Sequence, residues 1–125
     1  MSLDTERGEP PYRLGRLFAA LEKTQQDALG GSVGATIRER FYASASATPS
    51  SVFPRLLRTY QHHLGKLESG WKVNREKLIQ QILDPLSDIP THLGLVDQGL
   101  FALGYYHQMN AFYTKKEDQR KENEE

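Results

Sequence analysis

TPSSVFPRLLRTYQHHLGKLES, residues 48–69, is the stretch on which the interpretation of the whole chain depends. Several of its apolar residues recur at the three- and four-residue spacing that places side chains on one side of an α-helix; they are Phe53, Leu57, Tyr60, Leu64 and Leu67. Basic residues collect roughly opposite, with no acidic residue among them; they are Arg55, Arg58, His62 and Lys66. The spacing therefore predicts a helix with a buried apolar face and an outer row of cations about 16 Å long.

The basic side of this helix has two interpretations. A charged helix face is ordinarily a solvated surface, but a row of cations also suits a polyanionic partner. The formal net charge is zero, yet residues 11–83 carry eleven basic and five acidic side chains, and both ends of the chain are acidic. Because the pI of about 6.9 is far from that of a free-standing nucleic-acid binder, we expect such binding to be weak alone or to occur within a larger assembly.

Length and composition exclude several classes of protein. A chain of 125 residues corresponds to one domain with a real core. It has no cysteine, which excludes disulfides and thiolate metal sites. No apolar run approaches the roughly 20 residues of a membrane span, and the polar N-terminus is unlike a signal peptide. We expect a cytoplasmic protein.

The segments before residue 48 follow a helical pattern. Residues 1–10 are predicted to form a flexible leader, and a helix follows from Pro11 to about Leu29, ended by Gly30. Its apolar residues share one face, and the far side carries a second basic set of Arg13, Arg16 and Lys23. Ser32 is the expected N-cap of a second helix that extends to about Ala47. The glycines at 30, 31 and 34 are also compatible with a phosphate loop, but no Gly-Lys-Ser/Thr follows and no strand precedes them.

The segments from residue 48 onward predict three more helices. The third is expected to start at Ser50 or Ser51, with Pro54 in its first turn, and to end at Ser69-Gly70. The fourth covers about residues 74–83 and brings three further cations to the same region: Lys72, Arg75 and Lys77. Trp71 is expected to pack where this helix begins. With no strand pattern anywhere, we predict an all-α, compact bundle of four to five helices with short loops.

The last helix is predicted to run from Asp97 to about Lys116, followed by a charged, disordered tail over residues 117–125. It is apolar nearly all round, which is typical of a central helix or of one that docks on a partner. Gly99 and Gly104 are expected to allow close approach of neighbouring helices. The candidate partner-binding residues are Tyr105, Tyr106, Phe112 and Tyr113.

No arrangement of residues predicts catalysis. His62 and His63 are adjacent, so on a helix they diverge by about 100° and cannot hold one ion. The carboxylates are scattered, with no inward pair for acid–base or two-metal chemistry. His107 is expected to bond to a backbone group or a tyrosine, with metal ligation as the alternative. We therefore expect neither an enzyme nor a cofactor.

Three stretches resemble a known family: residues 12–22 (YRLGRLFAALE), 37–42 (IRERFY) and 97–108 (DQGLFALGYYHQ). They are similar to the helical C-terminal domain of the large subunit of the type I-C CRISPR effector complex, Cascade, over about residues 11–117. This chain begins with its own Met1 just ahead of that domain. The resemblance thus implies the separately made small subunit, which arises in this family by internal translation, although a truncated large subunit would have the same sequence.

The resemblance implies a subunit that lines the belly of an RNA-guided complex. It would help to hold the guide RNA–DNA duplex in register and give the displaced single-stranded DNA a basic path, in contact with the large subunit and the backbone subunits. The candidate contacts come from helical geometry and charge: Arg55, Arg58, His62 and Lys66, supported by Arg13, Arg16, Lys23, Lys72, Arg75 and Lys77. The alternatives are a scaffold that binds proteins through its last helix, and an independent helix-turn-helix regulator, for which no clear recognition pattern exists.

Overall fold

The computed structural model describes residues 3–30 and 37–124, with side chains as far as Thr114. It contains five helices: α1 (Pro10–Leu29), α2 (Ile37–Ala47), α3 (Pro49–Leu64), α4 (Ser69–Leu83) and α5 (Leu95–Glu124). No strand occurs within the described ranges. The predicted compact all-α bundle is therefore confirmed. No helix in the described part of the chain is long and apolar enough to cross a membrane.

Helix α1 is the centre of the bundle because all four other helices pack against it. Its residues from Pro11 to Glu22 are all buried. Phe18 lies in an aromatic cluster, with its ring centroid 6.5 Å from that of Phe53 on α3 and 6.1 Å from that of Phe101 on α5. Such tilted and edge-on pairs combine a large buried apolar area with favourable ring electrostatics.

Helices α1 and α5 approach each other most closely at two glycines. A Cβ atom on Gly15 would lie 2.0 Å from the carbonyl oxygen of Phe101, and one on Gly104 would lie 2.0 Å from that of Tyr12. Only glycine fits at either position without moving a helix backbone. The prediction for Gly104 is thus confirmed. That for Gly99 is wrong, since a Cβ atom there would meet no described atom of a neighbouring helix within 4 Å.

The helix ends agree with the sequence pattern in some places and not in others. Gly30 ends α1 in the left-handed conformation (φ 59°, ψ 31°), as predicted. The predicted cap Ser32 lies outside the described residues. Helix α3 begins with Pro49 in its first position, so Pro54 lies in the helix interior rather than in the first turn. It ends at Leu64, and the segment 69–70, predicted to end α3, instead begins α4.

Helix α5 exceeds its predicted length at both ends. It begins at Leu95 rather than at Asp97 and continues to Glu124, so helix replaces the predicted disorder over residues 117–124. These residues are rich in Lys, Glu, Gln and Arg, which have high helix propensity.

The leader contacts the bundle over residues 3–9. The Asp4 amide donates a hydrogen bond to the Tyr12 hydroxyl (3.1 Å), and the Thr5 carbonyl accepts one from Arg13 (3.0 Å). The sequence pattern predicted a flexible leader and did not anticipate these contacts. The leader therefore covers one end of α1.

Candidate nucleic-acid interface

The basic side of α3 lies on the surface, as predicted. Arg55, Arg58 and His62 are exposed and fall within about 60° of one another around the helix axis. Lys66 is exposed in the turn that follows α3, where its amide donates a hydrogen bond to the His63 carbonyl (3.0 Å). We refer to Arg55, Arg58, His62 and Lys66 as the α3 stripe. It is anchored from behind by the buried apolar face of α3, made of Val52, Phe53, Leu56, Tyr60 and Leu64.

The α3 stripe has no carboxylate partner among the described side chains. Arg55 contacts an aromatic ring instead, with its guanidinium carbon 5.4 Å from the Phe41 ring centroid. The buried imidazole of His63 lies beneath the stripe, and burial lowers its pKa, aided by the nearby His62 and Lys66. Cations left without carboxylates in such a row are available for phosphate groups.

Arg13 does not lie on a basic outer face of α1, and this prediction is wrong. Its side chain is only 3% exposed. The guanidinium donates hydrogen bonds to the carbonyls of Gln81 (3.1 Å) and Ile82 (3.3 Å) in the last turn of α4, and to that of Thr5 (3.0 Å). Carbonyls at the end of a helix lack partners within it and carry partial negative charge. Arg13 therefore caps α4.

Arg16 is also interior rather than part of a nucleic-acid interface. It is completely buried, and it donates hydrogen bonds to the side-chain oxygens of Gln108 (3.0 Å) and Gln81 (2.8 Å). Burial lowers the pKa of Arg16, and the charge of Arg13 lowers it further. The physical reason for both corrections is that α1 is surrounded by helices, so it has no side that faces solvent along this part of its length.

Lys23 and Arg75 meet at one carboxylate, and neither is freely available. Asp27 lies 3.0 Å from the Lys23 ammonium and 2.7 Å from the guanidinium of Arg75. Arg75 is buried, donates a second hydrogen bond to Thr24 (2.7 Å) and lies over the Phe112 ring. The prediction that Arg75 faces a nucleic acid is wrong, because this residue joins α4 to α1. Lys23 is half-buried in the same ion pair.

The other α4 cations remain near solvent. Lys77 is exposed and Lys72 is half-buried. Trp71 beside them is 57% exposed, whereas the sequence analysis expected it to pack against the bundle. It precedes by one turn Arg75, the residue that joins α4 to α1. Arg75 pairs with Asp27 close to the end of α1 at Leu29, so Trp71 lies beyond the part of α1 that could cover it, and no local sequence signal marks this.

The aromatic residues of α5 divide into buried and exposed members. Tyr106 and Tyr113 are about half exposed, and Phe112 is half-buried. Tyr105 is buried, and its hydroxyl donates a hydrogen bond to Glu22, so its assignment as a partner-binding residue is wrong. It points toward α1 because it lies one turn from Phe101 on the inner face.

Two exposed apolar residues of α5 were missed. Leu95 and Val96 are 86% and 82% exposed. Together with Tyr106 and Tyr113 they give α5 four exposed large apolar side chains among the described residues. The sequence analysis missed them because it began the helix at Asp97, so Leu95 and Val96 fell outside the predicted helix.

The histidine at position 107 is a structural residue. Its Nδ1 shares a hydrogen bond of 2.9 Å with the Tyr12 hydroxyl, which confirms the predicted tyrosine partner. Within the described residues, no group of three His, Cys, Asp or Glu side chains is placed to hold a metal ion. The surface of α3 therefore remains the main candidate site.

Comparison with protein families gives one match. The family described as CRISPR-associated protein (Cas_Csd1) matches residues 1–113, which include α1 to α4 and all the exposed aromatic residues of α5. No curated protein matches the chain.

Proposed function

Since the chain belongs to the CRISPR-associated family Cas_Csd1, we propose that it is the non-catalytic small subunit of a type I-C Cascade complex. In this role it binds nucleic acid through phosphate groups, mainly those of the displaced DNA strand. Family membership supports a role in a Cascade-type complex with other CRISPR subunits. The observation that carries the DNA-binding part is the α3 stripe, which is exposed and has no carboxylate partner among the described side chains.

The chemistry of the stripe suits binding without sequence preference. Arg and Lys contact phosphates and release counterions, so binding weakens as salt rises. Guide RNA pairing supplies sequence specificity in RNA-guided complexes, and the protein needs only to hold backbones in place. Three permanent cations, Arg55, Arg58 and Lys66, would give a salt slope of about −2 on a single strand. Such a weak interaction is sufficient within an assembly that already holds the DNA.

A fluorescence-anisotropy titration tests this proposal. A labelled single-stranded DNA is titrated at low and moderate salt with the purified chain, and with the assembled complex prepared with and without it. We expect the complex to hold the strand less tightly without this subunit, and the difference to shrink as salt rises. Equal affinity with and without the subunit, at both salt concentrations, would contradict the proposal.

A matched pair of variants locates the contact. Arg58→Glu reverses a charge within the α3 stripe, and Arg40→Glu makes the same change at an exposed residue of α2. We expect Arg58→Glu to weaken DNA binding and to reduce the salt slope by about 0.7 or more, while Arg40→Glu changes both much less. If the two variants lose affinity equally, only net charge matters and the stripe is a solvated surface.

A scaffold function is the second candidate, and the exposed apolar residues of α5 favour it. Leu95, Val96 and Tyr106 present apolar surface to solvent in the isolated chain, and such patches mark protein interaction sites. The scaffold hypothesis predicts that Tyr106→Ala blocks incorporation into the complex, whereas Arg58→Glu leaves DNA affinity unchanged. Co-purification with the other subunits distinguishes the two.

A further inference from the structure

We propose that Trp71 is a stacking platform for an unpaired base of the strand whose phosphates lie on the α3 stripe. The inference rests on the proposed function and extends it. Contacts with the phosphate backbone of a nucleic acid need only cations, whereas this inference adds an aromatic residue and a base that stacks on it. The ligand is a nucleotide base in a single strand. Bases within a duplex already stack on their neighbours and do not offer a free face.

The exposure of Trp71 is the first observation. More than half of this large side chain is exposed, whereas the aromatic residues Phe18, Phe53 and Phe101 are completely buried. Leaving an indole in water forgoes much of the favourable free energy that its burial would bring. An exposed tryptophan on a surface is for that reason typical of binding sites.

The geometry of α4 explains why the indole projects. Trp71 precedes Arg75 by four residues, so both lie on the side of α4 that faces α1. Arg75 bonds to Asp27, only two residues before α1 ends at Leu29. The first turn of α4 therefore reaches the end of α1, where little of that helix remains to cover the ring.

The position of Trp71 relative to the cations is the second observation. The α3 stripe ends at Lys66, and hydrogen bonds from the amides of Lys66 and Leu67 to the last residues of α3 make a tight turn before α4. Lys72 follows Trp71 directly. The turn also contains Glu68, so residues 66–72 carry a net charge of +1. A row of cations thus leads along α3 to an exposed aromatic ring at the same end of the bundle.

This combination fits a single strand better than other partners. Proteins that bind single strands without sequence preference pair a basic track with aromatic rings, on which any base can stack through its π face. An acidic protein would use the cations but not the indole, and an apolar protein would use the indole but not the cations. The charge of the stripe and the exposed ring together favour a strand whose phosphates follow the helix and whose base covers Trp71.

The test uses a property of the chain itself, since Trp71 is its only tryptophan. The purified full-length chain is titrated at low salt with an unlabelled oligothymidylate of about 12 nucleotides, a length within the range covered by single-strand binding domains. Intrinsic fluorescence reports stacking, and anisotropy of a labelled copy of the same strand reports binding. An abasic strand of equal length is the control for phosphate contacts.

We expect fluorescence quenching that follows the anisotropy curve for oligothymidylate and no quenching with the abasic strand. The abasic strand should bind roughly ten- to a hundredfold more weakly but with the same salt slope. Trp71→Ala should reduce affinity for oligothymidylate to that of the abasic strand, Trp71→Phe should retain most of it, and Val73→Ala, at an exposed neighbour, should change nothing.

The outcomes separate this inference from the proposed function. An anisotropy increase without quenching, and with equal affinity for both strands, overturns the stacking role of Trp71 and leaves the phosphate contacts in place. If neither strand raises the anisotropy, either with the purified chain or through its presence in the assembled complex, the proposed function and the stacking role are overturned together. Quenching by a DNA duplex as strong as by the single strand overturns the assignment to an unpaired base. If circular dichroism shows that Trp71→Ala is unfolded, the wild-type quenching and Trp71→Phe decide the question.

Discussion

Helices α1 and α3 have the same pattern in the sequence, but their basic side chains differ in exposure to solvent. Each has apolar residues on one side and basic residues on the other. In α3 the basic side is exposed, whereas in α1 Arg13 and Arg16 are buried. The difference lies in the surroundings, because α1 is packed against four helices and α3 is not. A basic helix face is thus a surface only where the bundle leaves it uncovered.

The buried arginines of α1 also show how a charge is tolerated inside a small domain. Arg13 binds carbonyl groups at the end of α4, and Arg16 binds two glutamine side chains. The planar guanidinium has five N–H donors and stays charged, so it can serve several fixed acceptors at once. The same residue type therefore holds helices together in α1 and remains available for phosphates in α3.

The burial of α1 depends on the close approach of α5, and Gly104→Ala should force the two helices apart. The new Cβ atom would lie 2.0 Å from the Tyr12 carbonyl oxygen, a backbone atom that cannot move without shifting α1. We expect the free energy of unfolding to fall by about 3 kcal/mol, measured by urea denaturation. Gly99→Ala is the matched control on the open side of α5, where we expect a gain of about 0.5 kcal/mol from helix propensity. Similar losses for both variants would contradict the close contact.

Arg16→Ala tests whether the cations of α1 are structural. The truncation leaves a cavity and removes the donors that satisfy Gln108 and Gln81. We expect the free energy of unfolding to fall by about 2 to 3 kcal/mol, again by urea denaturation. Arg58→Ala in the α3 stripe should change it by less than about 0.5 kcal/mol. Equal effects of the two substitutions would remove the distinction between the helices.

A conservative substitution sharpens the same distinction. Arg13→Lys keeps the charge but replaces a planar group that reaches several carbonyls with an ammonium that reaches fewer. We expect a loss of stability of about 1 kcal/mol, measured as a lower midpoint of thermal unfolding. Arg58→Lys should leave the midpoint unchanged, since no described side chain holds the Arg58 guanidinium. A midpoint for Arg13→Lys equal to that of the wild type would show that charge alone is sufficient at this position.

The smallest expected change is in the pH dependence of stability, and it comes from Glu22, the buried acid of α1. Burial raises its pKa above the ordinary 4.5, although the hydrogen bond from Tyr105 opposes the change. From 4.5 up to the raised pKa, the folded protein keeps a proton that the unfolded chain has lost, so stability falls as pH rises through this window. Glu22→Gln keeps an acceptor for Tyr105 and cannot titrate, so the decline should disappear.

Urea denaturation of both proteins at several pH values measures this difference. Subtracting the two curves removes the opposite contribution of His63, whose lowered pKa makes stability fall as pH drops below 6.5. A variant with the same pH dependence as the wild type would show that the pKa of Glu22 is the same in the folded and unfolded states.

Local features of the structure followed from the sequence. The spacing of Phe53, Tyr60 and Leu64 predicted both faces of α3, and Gly30 predicted the left-handed end of α1, because these features depend on residues within a few positions of one another. The family stretches likewise agree with the family that matches the chain. Helix boundaries were less accurate, since Pro54 is accommodated inside α3 and Ser69-Gly70 begin α4 instead of ending α3.

Sequence alone therefore determined that this chain is a helical bundle and that α3 has a basic side. It did not determine which charges and rings reach solvent. The burial of Arg16 and Tyr105 and the exposure of Trp71 and Leu95 depend on which helices pack together and where each one ends. A helical period records the faces of one helix, but the free energy of burial depends on neighbours that are distant in sequence, and those are set by tertiary packing.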